Sequence, residues 1–173
     1  MGVFDKTICD CCVCPMQCVL EALERQKVEL FTPSEGFIGV TISRVEDFIV
    51  FTEEGEEFAI CNITAVSIAP PTFTPFPLKP IQKNNKGLCT CCEDPMTNVA
   101  LSRMREGQPV DIGFISSPDA VPAPGVLIQQ VGEGIVFGLV EENTPIFFST
   151  CTMTRISPSN RSSNTNFVAR LSN

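Results

Sequence analysis

Thiols are the one concentrated chemical resource in this chain. Cys9, Cys11, Cys12 and Cys14 precede Pro15-Met16, with Cys18 one helical turn further on. Eighty residues later Cys89, Cys91 and Cys92 stand before Asp94 and Pro95-Met96. A disulfide needs Cα atoms roughly 4.4–6.8 Å apart with convergent Cβ directions. Neighbours such as Cys11 and Cys12 meet that poorly with each other, so each is expected to seek a thiol elsewhere in space. All eight of these cysteines are therefore candidates for cross-links to another repeat or another chain. The alternative is a metal: Cys9, Cys11, Cys12 and Cys14 contain overlapping C-x-x-C spacings and could supply four thiolates to zinc or an iron–sulfur cluster. The second cluster has three thiols and would need Cys151 or a carboxylate to complete a set. Cys61 and Cys151, at matching positions late in the two copies, suit a third role as buried, reduced small hydrophobes.

Other routes to chemistry are narrow. The 173 residues include no His, Tyr or Trp, which removes the imidazole base, the Cys-His dyad, the Ser-His-Asp triad and several common substrate anchors. Glu53, Glu54, Glu56 and Glu57 flank Gly55 as a solvated hairpin tip. No catalytic residue and no cofactor-binding residue is assigned, and the chain is expected not to be an enzyme. A formal charge of −8, with no Lys/Arg cluster, is unfavourable for nucleic acid. No run of about 18 apolar residues suggests a membrane span. Met1 to Lys6 is not expected to begin a signal peptide, and Lys6 stands where a myristoylation pattern wants Ser or Thr. The expected site of synthesis is a cytoplasm, where the ten cysteines start out reduced.

The elements that must position the thiols occur twice. Lys27-Val28-Glu29-Leu30 faces Pro109-Val110-Asp111-Ile112. Gly39, Val45 and Ile49-Val50-Phe51 recur 86 residues on as Gly125, Val131 and Ile135-Val136-Phe137. Ile60-Cys61-Asn62-Ile63 recurs 90 residues on as Thr150-Cys151-Thr152-Met153, and Ser117 to Pro124 is the largest insertion. A shared period of this kind indicates duplication of one building block. In each copy a short helix starts at Pro15 or Pro95, with Cys14 or Asp94 at the N-cap. Met16, Val19, Leu20 and Leu23 in the first copy, and Met96, Val99, Ala100 and Met104 in the second, form its core stripe. The period then drops to two, predicting strands around Val28–Thr32, Ile38–Ile42, Phe48–Thr52, Phe58–Ile60 and Ala65–Ile68. The expected fold is mainly β: two tandem small, bent, five-stranded antiparallel barrels, each preceded by a short helix. Mid-strand Gly39 and Gly125 suit the bends.

The expected boundaries are a first repeat over 1–69, a Pro-rich linker over 70–86, a second repeat over 87–157 and a polar tail over 158–173. The linker reads as a stiff extended spacer. Its Phe73 and Phe76 are too apolar for a mere tether and are expected to dock on a neighbour or on one of the barrels. In the tail, Phe167, Val168 and Leu171 could lie along an open sheet edge.

The stretch Gly39-Val40-Thr41-Ile42 through Val45-Glu46-Asp47-Phe48-Ile49-Val50, with the closing Ile60 to Ile68, resembles the Sm-like fold. That family's RNA-binding members carry Asn, Arg or Lys in the matching loops. Here those loops hold Glu46, Asp47, Gly132 and Glu133, so the RNA function is not carried over. The segment Cys9 to Leu20 is similar to the openings of Cys-rich spore coat, exosporium and spore-appendage proteins of endospore-forming Firmicutes. That resemblance implies a structural subunit deposited on the spore surface in disulfide-linked layers or fibres. Its partners would be copies of itself and other Cys-rich spore-surface proteins. Asp94 and Asn98 replace Cys14 and Cys18 in the second copy, which makes the two clusters unequal. The alternative function is a cytoplasmic metal-thiolate module.

Overall fold

Met16, Val19, Leu20 and Leu23 share one helical face, and all four are almost fully buried. They belong to α1, Val13–Ala22, and to the turn closing it, where Leu23 N–H donates to Leu20 O at 3.0 Å. Arg25 adopts a left-handed φ of 66°, ends the helix and donates its N–H to Ile42 O at 2.7 Å. The computed structural model describes residues 13–68, 73–81, 93–116 and 122–159.

Five strands follow α1: β1 (Lys27–Phe31), β2 (Gly36–Glu46), β3 (Ile49–Thr52), β4 (Glu57–Ala59) and β5 (Ala65–Ile68). The second half repeats the plan with α2 (Glu93–Glu106), β6 (Val110–Phe114), β7 (Ala123–Gly132), β8 (Ile135–Val140), β9 (Thr144–Ser149) and β10 (Met153–Pro158). Both helices begin two residues before their prolines, so Cys14 lies inside α1 instead of capping it. Each proline still falls in the first turn, where its missing N–H leaves no bond unmade.

The strands do not separate into two barrels. Among the described residues they form one ten-stranded antiparallel sheet, not closed on itself, in the order β10-β6-β7-β8-β9-β5-β1-β2-β3-β4. The physical reason is the joint in its middle. Pairing β5 with β9 (Ala65↔Phe148, Val66↔Phe147, Ser67↔Ile146) satisfies backbone groups that two isolated units would each leave at an edge. On either side of that joint the order is the same: last strand, first, second, third, fourth. The irregularities repeat as well. A register shift between Ile42 and Arg44 has its counterpart between Ile128 and Gln130, and Gly39 and Gly125 both take positive φ, 74° and 65°.

The apolar residues gather in two clusters that trade residues across the joint. Ile135, Phe137 and Phe147 of the second half pack into the first core, while Phe31 and Ala65 of the first half pack into the second. The linker seals the exchange: Phe76 stacks on Phe147 (5.4 Å between centroids) and Phe73 lies 5.5 Å from Phe137. Its far end is pinned where Glu133 N–H donates to Lys79 O at 2.9 Å and Lys79 pairs with the Glu133 carboxylate at 3.4 Å. Gly132 is required there, because a Cβ would stand 2.6 Å from Leu78 Cβ. Glu133, in the loop matched to an RNA-binding loop of the Sm-like fold, is nearly buried beneath the linker. The α2 stripe is also thinner than expected: Ala100 is buried, but Val99 is 40% exposed.

Candidate functional site: thiols and open sheet edges

Helical geometry places Cys14 in the first turn of α1 and Cys18 one turn along. Cys14 is disulfide-bonded; Cys18 is exposed and free. Partial shielding pushes the Cys18 thiol above its ordinary value, the Glu21 carboxylate adds to the shift and Lys79 opposes it. A raised thiol pKa lowers the thiolate fraction at neutral pH, so Cys18 is the slower partner in any exchange. Cys9, Cys11, Cys12, Cys89, Cys91 and Cys92 lie outside the described residues.

Cys61 and Cys151 do not act as buried hydrophobes. Cys61 sits in the 3₁₀ turn Ile60–Asn62 between β4 and β5 and is exposed and free. Cys151, exposed in the turn between β9 and β10, is disulfide-bonded. In the first turn Ile60 and Ile63 take the inward positions, 1% and 2% exposed, which leaves the intervening cysteine to solvent. Among the described residues no three His, Cys, Asp or Glu side chains gather as a ligand set. The zinc alternative depends on Cys9, Cys11 and Cys12, outside the described residues, and on Cys14, which is disulfide-bonded here.

The acidic hairpin tip has a structural use. The Glu54 carboxylate accepts the Thr41 N–H at 3.1 Å, and that bond holds its pKa below the ordinary range. Burial pushes the half-buried Glu29 carboxyl upward.

Two features that periodicity did not flag stand out: the outer edges of the sheet. One edge is β10, where Thr154 and Arg155 are exposed. The other is β4, which borders a recess of about 510 Å³ lined by Glu35, Phe37, Glu57, Phe58 and Asn62, among others. Phe37 and Phe58 meet there edge to face at 4.6 Å. The signal was present in composition: β4 reads Glu-Phe-Ala behind a run of glutamates, whereas its counterpart β9 reads Thr-Pro-Ile-Phe-Phe-Ser.

No helix of the described residues is long and apolar enough to cross a membrane. Comparison with protein-family models, curated proteins and solved structures finds no match to this chain.

Proposed function

We propose that this protein is a non-enzymatic structural subunit that self-assembles edge to edge and is then fixed by disulfides. Its two halves are read as Sm-like open barrels fused through a shared sheet, and its setting as a spore-surface layer or fibre, shared with other Cys-rich proteins. The carrying observation is the joint between β5 and β9: one building block already meets its own copy through a strand edge, and among the described residues no strand pairs with the corresponding outer edges of β4 and β10. A head-to-tail contact of that kind yields rings or filaments according to whether its rotation closes. Cys14 and Cys151 are disulfide-bonded within the single chain, which supports an oxidised subunit.

Purification with and without reductant tests the reading. Covalent multimers that dissolve only when a thiol is added are expected. A soluble monomer carrying stoichiometric zinc or iron would replace the reading with a metal-thiolate module.

A further inference from the structure

The internal joint can be mapped residue by residue onto the open edges, because both halves share their registers. Leu30↔Val66 and Phe31↔Ala65 in β1–β5 correspond to Ile112↔Ile156 and Gly113↔Arg155 in β6–β10. Val50↔Phe58 and Phe51↔Glu57 in β3–β4 correspond to Val136↔Phe148 and Phe137↔Phe147 in β8–β9. Both mappings carry an offset of 90 on the joining strands. The joint pairs Ala65↔Phe148, Val66↔Phe147 and Ser67↔Ile146. Its image between two molecules is therefore Arg155 opposite Phe58, Ile156 opposite Glu57 and Ser157 opposite Glu56.

Inside the molecule, Phe31 and Ala65 cross the joint and are buried in the second core. Phe31 meets Phe114 edge to face at 5.9 Å, and Phe114 meets Phe148 at 5.2 Å. At the open β4 edge the positions of Phe114 and Phe148 are held by Thr32 and Phe58, and both line the recess. What faces them from β10 and β6 is changed in a matched way: Gly113 replaces the phenyl ring and Arg155 replaces the alanine methyl. The bulk has moved from one strand to its neighbour and has gained a charge.

We infer that the β10 edge of one molecule pairs with the β4 edge of a second copy, with Arg155 entering the recess between Phe37, Phe58, Glu35 and Glu57. The inference rests on the self-assembly reading and specifies its joint. A guanidinium over an aromatic face and beside carboxylates gains from both cation–π and charge-assisted hydrogen bonding. The same sheet already uses that pairing, with Arg44 3.9 Å from the Phe51 ring centroid and 3.6 Å from the Glu46 carboxylate. Like-to-like pairing is opposed by charge, because the β4 edge carries Glu57 and the β10 edge carries Arg155. Opposite charge thus selects a polar, head-to-tail joint. Asn62 stands at the position of Thr152, whose hydroxyl donates to Thr64 O across the internal joint at 3.2 Å. The Asn62 amide can donate to the Thr154 carbonyl of the second copy in the same way.

Sedimentation velocity on the full chain, purified without reductant and with its free thiols alkylated, reads this joint apart from new cross-links. The wild-type chain is expected to associate. Association should fall at least about tenfold in Arg155→Glu and, separately, in the double variant Glu35→Arg/Glu57→Arg. Mixing the two variants should restore it, because every contact between unlike molecules then brings opposite charges together. Restoration on mixing requires both variants to be folded and is not expected of a general loss of stability. Unimpaired association of either variant alone, or no restoration on mixing, overturns the inference while leaving self-assembly intact. An alkylated wild type that stays monomeric while the oxidised, unalkylated chain forms covalent multimers also overturns it and leaves the cross-linked subunit standing. Monomer under both conditions overturns the joint and the proposed function together.

Discussion

Phe147 in β9 and Glu57 in β4 hold the same place in the two halves, yet Phe147 is 1% exposed and Glu57 is open to solvent. The neighbouring pair, Ile146 and Glu56, differs in the same sense. Strand β9 is covered on both faces, by the first core and by the second, and reads as a continuous apolar run, which is what burial on both sides demands. Strand β4 has one side unpaired among the described residues, and its charges oppose indiscriminate pairing there. The backbone plan was copied; the side chains record which copy became interior. Position in the assembled sheet, not position in the repeat, sets residue type.

Breaking the comparison at its centre should have the largest effect. Phe147 stacks on Phe137 at 4.7 Å and on Phe76 at 5.4 Å, so Phe147→Ala is expected to cost about 3–5 kcal/mol. Glu57→Ala should stay within about 0.5 kcal/mol. Urea denaturation midpoints at constant m-value check both, and equal losses would show that the two strands are not distinguished by burial. An intermediate effect is expected on the helices. Val19 is 2% exposed and its counterpart Val99 40%. Val19→Ala should therefore cost about 2 kcal/mol against less than about 0.5 kcal/mol for Val99→Ala.

The smallest contrast is electrostatic. Asp111 in β6 accepts the Gly125 N–H at 2.9 Å, while burial of the equivalent Glu29 raises its carboxyl pKa. A raised carboxyl holds its proton longer in the folded chain than in the unfolded one. Stability from this group is thus full below the unfolded pKa of about 4.3 and declines as pH rises through the folded value. Glu29→Gln removes that decline, so the variant should gain thermal stability relative to wild type between pH 4 and pH 7. Melting curves at the two pH values measure it, and a gain confined to pH 4 would reverse the sign.

Local chemistry made much of this legible. The 16, 19, 20, 23 spacing located the buried face of α1, alternation located the strands of the first half, and the shared offsets exposed the duplication and both bending glycines. The join of β5 to β9 left no local pattern, because pairing between residues 80 apart is decided by which edges are apolar once both sheets exist. The run from Pro145 to Ser149 carries the hint in its unbroken apolar sequence, as a strand covered on both faces requires. Cys61 and Cys151 were misplaced because strand alternation was extended into what are turns, where Ile60 and Ile63 take the interior. The edge recess has no local signature, because Glu35 and Phe37 on one side and Phe58 on the other come from two separate stretches of chain.

The linker pinned at Glu133 and Gly132 gives the molecule an unusual response to tension. A pull applied across the sheet from β4 to β10 loads the strand-to-strand bonds in series, like a zip pulled sideways, so the weakest seam opens first. The seam between β5 and β9 is bridged by residues 73–81, whose Phe73 and Phe76 are seated on Phe137 and Phe147. Before the two halves can part, those rings must be stripped from their seats and slack drawn from a proline-rich strap. The centre of the molecule is thereby the reinforced point of the strip, and mechanical failure is directed outward to the unbridged seams between its other strands.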